Sequence, residues 1–415
     1  MFRCLVLASV LVLAAACTHT KTETSFTIAV NAGVEGSALK QAAMEWGAAK
    51  GIKVSIVELP YSNLFEKELL DLKSRTGAYD VVMMDDPWFP QFVSGDQLAS
   101  LDPLYSKAGL KAPDPDFIKS TLDVCRQPWA TGTYYALPYV GNSQLFFYRK
   151  DLFDKYGLKA PGTWDEVLSS ARKIGAGEKM FGYVMRAAPG NAVVADFMPL
   201  LWAFGADMFS ADGRPTVNSA EAIAALRFMI ELGKISPPGY TGYNADEVSA
   251  HLLQSTAAMS INWPAWIGPM DDPAKSKVVG KVEFTPIPAQ IRKGQAELGT
   301  WLVAIPSASR QKDLAFEFIR WATEAPQMKI AARRGNPPTR TSVFEDAELR
   351  KQFRAYPVQK ASLESAKPRP RTALWNEIEN VFGIYLSKAN SGSMTPEESL
   401  KQANGEIAAI LERNR

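Results

Sequence analysis

Three apolar runs alternate with two helix-period stretches across residues 25–84, and this order constrains the fold more than any other feature of the chain. SFTIAV (25–30) reads as a buried strand. Leu39, Ala43 and Trp46 then recur at helical spacing, and Gly51 is placed to cap the helix they define. Ile52, Val54 and Ile56 alternate as a second strand, Leu64, Phe65, Leu69 and Leu72 share one helix face, and YDVVMM (79–84) forms a third strand. A β-α-β-α-β order calls for a mostly parallel sheet with helices on both faces. In such sheets ligands bind beyond the carboxyl ends of the strands. At one of those ends the chain places MMDDPWFPQF (83–92), two acids followed by a Trp and a Phe bracketed by prolines. A strand core has no use for Pro87 and Pro90, and a solvated loop has none for Trp88 and Phe89.

With 415 residues, 47% of them hydrophobic, the chain is long enough for two domain-sized cores. A net charge of +2, with only short basic clusters at Arg333-Arg334 and Lys367 to Arg371, provides no nucleic-acid surface. The first seventeen residues, MFRCLVLASVLVLAAAC, are set apart from the fold. Arg3 precedes an uncharged apolar run from Leu5 to Ala16, shorter than the roughly 20 residues that span a bilayer, and Ala14-Ala15-Ala16 is a small-residue cleavage site. Residues 1–16 therefore read as a signal peptide. Cys17 follows at once and resembles the cysteine of a bacterial lipobox, with Ala14 where Leu is usual. The expectation is an extracytoplasmic (periplasmic) protein anchored by a lipid on Cys17, with residues 17–24 as a tether; plain secretion after the same cleavage is the alternative. A lipidated Cys17 leaves Cys125 without a partner for an internal disulfide.

Signatures of catalysis are missing. Outside the tether the only histidine is His251, in the helix-like VSAHLLQ, and there is no G-x-S-x-G, H-E-x-x-H, P-loop or Rossmann fingerprint. No Cys/His cluster suits zinc, so neither a metal nor another cofactor is expected. A glycosidase needs two carboxyls flanking one bond, and nothing in the sequence marks such a pair.

Further along come YALPY, SQLFFYRKDLF and TWDEVLSSARKI, in which Thr163 and Glu166 form a capping box. LLWAFGADMFSADGRPTVNS, MSINWPAWIG, GTWLVAIPSASRQKDLAFEFIRWAT and RRGNPPTRTSVF follow, and Thr395-Pro396-Glu397-Glu398 opens a last helix. In their order and spacing, together with YDVVMMDDPWFPQF and the lipobox-like start, these segments resemble the carbohydrate-binding branch of the extracellular solute-binding proteins that serve ABC importers. The resemblance covers nearly the whole chain. It implies an α/β clamshell of two lobes, the type II periplasmic-binding-protein fold, each lobe a mostly parallel sheet flanked by helices. It implies crossings near Tyr135–Tyr139, Thr285–Gln290 and Asn336–Thr341, so that residues 25–136 plus 290–338 form lobe one and 137–289 plus 339–415 lobe two. It further implies a monomer that takes up a carbohydrate (oligosaccharide, glucoside or polyol) between its lobes and hands it to the transmembrane subunits of an ABC permease. A secreted carbohydrate-active enzyme, or the same fold binding a non-sugar solute such as a polyamine, is the alternative.

A sugar presents hydroxyls, which bond carboxylates, amides and arginines, and flat C–H faces, which pack on aromatic rings. Asp85, Asp86 and Trp88 offer that pairing. Adjacent strand residues point to opposite sides, so one acid faces the cleft, with Asp86 preferred, and the other caps the next segment; two solvated loop acids are the bland reading. Trp46, Trp164, Trp202 and Trp321 lie in helical patterns and Trp129 is assigned with them to the core, whereas Trp263, Trp266, Trp301 and Trp375 sit beside Pro, Gly or strand ends, where function concentrates. Glu35, in the loop after the first strand, is a cleft residue or a solvated turn acid. By the implied crossings Tyr139, Asn142, Gln144 and Arg340 enter the cleft, and by the resemblance alone Arg371 does too, with a salt bridge as the competing role for either arginine. Five candidate tryptophans favour a ligand of more than one ring.

Overall fold

The computed structural model describes residues 25–414; the signal peptide, the Cys17 anchor and the tether expected from the sequence lie outside the described residues. The opening of lobe one follows the sequence closely. Strand β1 (Ser25–Asn31) leads into helix α1 (Val34–Lys50), β2 (Lys53–Leu59) into α2 (Tyr61–Ser74), and β3 (Val81–Asp85) into the short helix α3 (Phe89–Ser94). The turn into α1 is tight: a Cβ on Gly36 would stand 1.8 Å from the carbonyl oxygen of Asn31, so only glycine allows the helix to start there. Gly51 closes α1 in the left-handed region, its N–H returning to Ala48 and Gly47.

A two-residue hairpin, β4 (Arg126–Gln127) with β5 (Thr133–Tyr134), precedes β6 (Ala136–Val140). The chain then enters a second sheet, β7 (Leu145–Arg149), β8 (Met259–Asn262) and β9 (Val282–Thr285), and returns as β10 (Trp301–Ala304). The first sheet has the order β2-β1-β3-β10-β6, with β1 parallel to β2 and β3, and β10 antiparallel to both neighbours. The second has the order β8-β7-β9 and β7 is antiparallel to both. A mostly parallel sheet thus describes lobe one but not the named strands of lobe two. There β7 is flanked by strands that return after long helical excursions, and no βαβ unit sets their direction.

Each sheet lies in its own apolar cluster. One draws on residues from Phe26 to Val140 and from Leu298 to Leu363; the other draws on residues from Phe146 to Ala296 and from Trp375 to Ile410, with a smaller cluster around Phe147, Val248 and Phe284. The chain passes between them at three places, and the crossing segments are hydrogen-bonded to one another. Ser143 pairs with Leu298 and Glu297 with Lys367; Gln144 N–H donates to Glu297 O (3.1 Å), Gly299 N–H to Asn142 O (2.9 Å) and Leu298 N–H to Lys367 O (2.9 Å). The crossings therefore fall at residues 141–144, 296–299 and 366–369, later than the segments expected from the sequence. Residues 137–140 remain in β6, and the stretch after Asn336 stays with lobe one because Gly141 N–H bonds Pro337 O, Thr339 Oγ1 bonds Pro138 O, and Val343, Phe344 and Leu363 enter the first cluster. Among the described residues no helix is long and apolar enough to cross a membrane, and no group of three or more His, Cys, Asp or Glu side chains is arranged to hold a metal.

Candidate functional site

The carboxyl ends of β1, β2 and β3 and the amino end of antiparallel β10 open on one edge of the first sheet, and all four contribute to a cavity of about 450 Å³. Asn31, Gly33 and Glu35 come from the end of β1 and the start of α1, Pro60, Tyr61 and Ser62 from the end of β2, Asp85 from β3, and Trp301 from β10, in register opposite Asp85. Lobe two closes the other side with Arg186, Asn191, Asn244, Asp246, Trp263 and Trp266, and the crossing segments supply Asn142, Gly299 and Arg369. Gly299 is required here, since a Cβ would lie 2.7 Å from the Trp263 ring. The volume lies at the small end of the roughly 300–1,000 Å³ typical of ligand pockets.

Two features make the lining suited to hydroxyls. Three indoles, Trp263, Trp266 and Trp301, face polar groups, and several of those polar groups have no protein partner. Asn31 Oδ1, Asn142 Oδ1, Arg186 Nη2 and Trp266 Nε1 are buried without one, two acceptors and two donors on lining residues. Buried polar atoms are costly when unpaired, and a hydroxyl, both donor and acceptor, pairs with either kind. Arg186 is held in place: its Nε donates to Asp196 Oδ1 (2.7 Å) and its guanidinium lies 5.2 Å from the Trp263 ring centre.

The charges of the lining are unevenly matched. Asp85 accepts from Tyr61 Oη (2.9 Å) and takes Arg369 Nη2 on both oxygens (3.0 Å each), so Arg369 is neutralised from lobe one. Arg186 is paired with Asp196. Glu35 and Asp246, one from each lobe, form no ion pair among the described residues. Burial, reinforced by Asp246 and Asp85 and opposed by Arg186, pushes the Glu35 carboxyl up to about 7, and burial with Glu247 raises Asp246.

Of the residues singled out from the sequence, the structure brings Glu35, Asp85, Asn142, Trp263, Trp266 and Trp301 to the cavity. The rest it places elsewhere. Asp85 takes the wall position for which Asp86 was preferred. Asp86 is fully buried behind it, accepting from Thr300 N–H (3.1 Å) and from Arg371 Nη1 (2.9 Å), and burial raises its pKa to about 6 against the pull of Arg369. Trp88 is 1% exposed, packed against Tyr61, Phe65 and Trp301. Tyr139 is buried in lobe one and Trp375 in lobe two, each among apolar neighbours. Gln144 holds Ala195 O with its amide nitrogen (2.8 Å) next to the crossings. Arg340 bonds Thr323 O and pairs with Asp114 (2.8 Å) and Asp116, and Arg371 pairs with Asp86 and bonds Val124 O, so both arginines are the salt bridges of the bland reading. Trp129, assigned to the core, is 47% exposed. Tyr61 and Pro60 were missed although the strand-end rule that selects Asp85 also selects them. Arg369, Arg186, Asn244 and Asp246 lie in segments with no periodicity to mark them.

A family described as bacterial extracellular solute-binding protein matches residues 32–329. A probable amino-acid ABC transporter periplasmic-binding protein of Sinorhizobium fredii is 28% identical over 394 residues, covering 92% of this chain and 88% of its own. An ABC transporter solute-binding protein of Agrobacterium radiobacter K84, solved in complex with ribitol, superposes with a TM-score of 0.87 at 28% identity, covering 93% of this chain and 98% of that one. A maltose-bound T. maritima MalE3 gives 0.86 at 28% identity, over 93% and 99%.

Proposed function

This chain belongs to the bacterial extracellular solute-binding proteins, and from that we propose that it captures a neutral polyhydroxylated solute, a polyol or a mono- or disaccharide, in the cavity between its lobes. The observation that carries this reading is the set of unpartnered polar atoms on Asn31, Asn142, Arg186 and Trp266 beside three indole faces. The ribitol and maltose complexes of the two similar structures support it. The amino-acid name of the Sinorhizobium relative is less well served: a free amino acid brings a carboxylate, and both arginines of the lining are already ion-paired, while the lining groups without an ion pair among the described residues are the acids Glu35 and Asp246. Those two acids favour a second reading, a cationic amine such as putrescine held among the tryptophans.

Family membership puts the protein outside the cytoplasm as part of an ABC importer. Delivery then follows from closure: ligand contacts to both lobes favour the closed form, whose surface the permease subunits recognise. We read the protein as a monomeric binder without catalytic activity, its lobes dividing at the three crossings, with a signal peptide cleaved before a lipid-bearing Cys17. Replacing Cys17 with serine is expected to move it from the membrane fraction to the soluble one; an unmoved protein argues against the anchor. A thermal-shift series with ribitol, D-mannitol, maltose, L-glutamate and putrescine tests the solute. Near a hundred times its dissociation constant, a true ligand adds about 2.7 kcal/mol of stability. Stabilisation by a polyol or sugar is expected; stabilisation by glutamate or putrescine alone overturns the neutral reading.

A further inference from the structure

Glu297 lies on the middle crossing segment and is 0% exposed. Its backbone ties that segment to the first crossing, accepting from Gln144 N–H (3.1 Å) and donating to Gln144 Oε1 (3.3 Å), and its bridge to Lys367 ties it to the third. Among the described residues the carboxyl itself has no hydrogen bond on either oxygen, and its nearest charge is Arg369 Nε at 3.5 Å, also without a hydrogen bond. Arg369 in turn grips Asp85 at the cavity wall and stands 3.5 Å from Asp86. A line of contacts therefore runs from the cavity, through Asp85 and Arg369, to an isolated buried carboxyl at the centre of the hinge.

We propose that Glu297 is a positioning residue of the hinge, whose carboxyl lets the lobes close on the cavity while it carries a proton and favours their opening once it ionises. A buried carboxylate with no hydrogen-bond donor is costly, and the nearest cation, Arg369, is already claimed by Asp85. Opening the lobes admits water and removes the cost. The geometry agrees with the direction of the proton equilibrium: burial holds Glu297 up to about 8 in the arrangement the structure shows, against the pull of Arg369 and Arg186 and helped by Glu379 and Asp85. Those four are the charged groups that act on it most strongly; Arg369 in turn feels Asp85, Asp86 and Tyr61.

The sign follows by linkage. A group whose pKa is higher closed than open takes up a proton on closing, so closure is most favoured below its open-state value, near the ordinary 4.5, and loses ground until the pH reaches about 8. Glu35, held near 7, acts in the same direction but its share stops growing there. Between pH 7 and pH 8 most of the change is therefore Glu297's, with less than about twofold left to Glu35.

The test is the closed-to-open ratio of the solute-free protein, read as a distance distribution between spin labels at exposed Lys67 in lobe one and Lys179 in lobe two. In the wild type the ratio is expected to fall by up to about tenfold between pH 7 and pH 8 and to level off above. In Glu297→Gln, which keeps shape and carries no ionisable proton, it is expected to change less than about twofold over the same unit. Glu297→Met serves as a second variant should the glutamine fail to fold. Identical profiles in wild type and variant, flat or sloped, overturn the proposal. No solute enters this measurement, so its outcome is independent of what the cavity binds.

Discussion

Replacement of Trp88 by alanine is expected to lower the stability of the fold by about 3–5 kcal/mol, the usual cost of deleting a buried large aromatic. The side chain is 1% exposed, and its ring lies 4.9 Å from Tyr61, 5.2 Å from Phe65 and 5.7 Å from Trp301, centre to centre. Two of those neighbours, Tyr61 and Trp301, line the cavity, so solute binding weakens as well, through loss of their support and not through loss of a contact. Urea unfolding separates the two accounts. A midpoint that falls together with affinity is the expected result. An unchanged midpoint with binding abolished would return Trp88 to the cavity wall, where its place at a strand end had put it.

Replacing Asp85 with alanine should have an effect of similar size for a different reason. Asp85 is the shared acceptor of Tyr61 Oη and Arg369, and removing it leaves a fully buried guanidinium whose remaining carboxylates, Asp86 and Glu297, both stand at 3.5 Å. Burial pushes both of those toward their protonated forms, so neither substitutes fully for the lost charge. Breaking a buried ion pair by removing one partner typically costs about 3–5 kcal/mol. Asp85→Asn keeps the volume and one acceptor oxygen, so a smaller stability loss is expected, with solute affinity still reduced by roughly tenfold or more for the lost charged hydrogen bond, which is worth about 1.5–3 kcal/mol. Calorimetric affinity and thermal melts on both variants check this. If Asp85→Asn binds as the wild type does, Asp85 serves only the hinge.

The paired acids of MMDDPWFPQF show how far sequence reasoning reaches in this chain. The alternation of strands and helices placed them at a sheet edge, and the same rule gathers Asn31, Tyr61, Asp85 and Trp301 around one cavity. What the pattern does not carry is the partner on the far side. Asp85 and Asp86 point to opposite sides of the strand end, and which one faces the cavity depends on Arg369 and Arg371, some 285 residues away, the first holding Asp85 most closely and the second Asp86. The aromatics follow the same logic. Trp263, Trp266 and Trp301 reach the cavity and Trp88 and Trp375 do not, because a proline or strand end marks a bend without saying which side of it is dry. The crossings came out early for a related reason: residues 339–363 return to pack on lobe one through Thr339, Val343 and Leu363, a long-range choice with no local signature.

The central claim is that a neutral polyhydroxylated solute sits between the lobes and touches both. A crystal structure of the protein with the polyol or sugar that most raises its melting temperature tests this most directly. The account predicts the solute in the 450 Å³ cavity, its carbon face on at least one of Trp263, Trp266 and Trp301 and its hydroxyls within hydrogen-bonding distance of Asp85, Asn142 and Arg186. A solute bound outside that cavity, or held by one lobe alone, would contradict it.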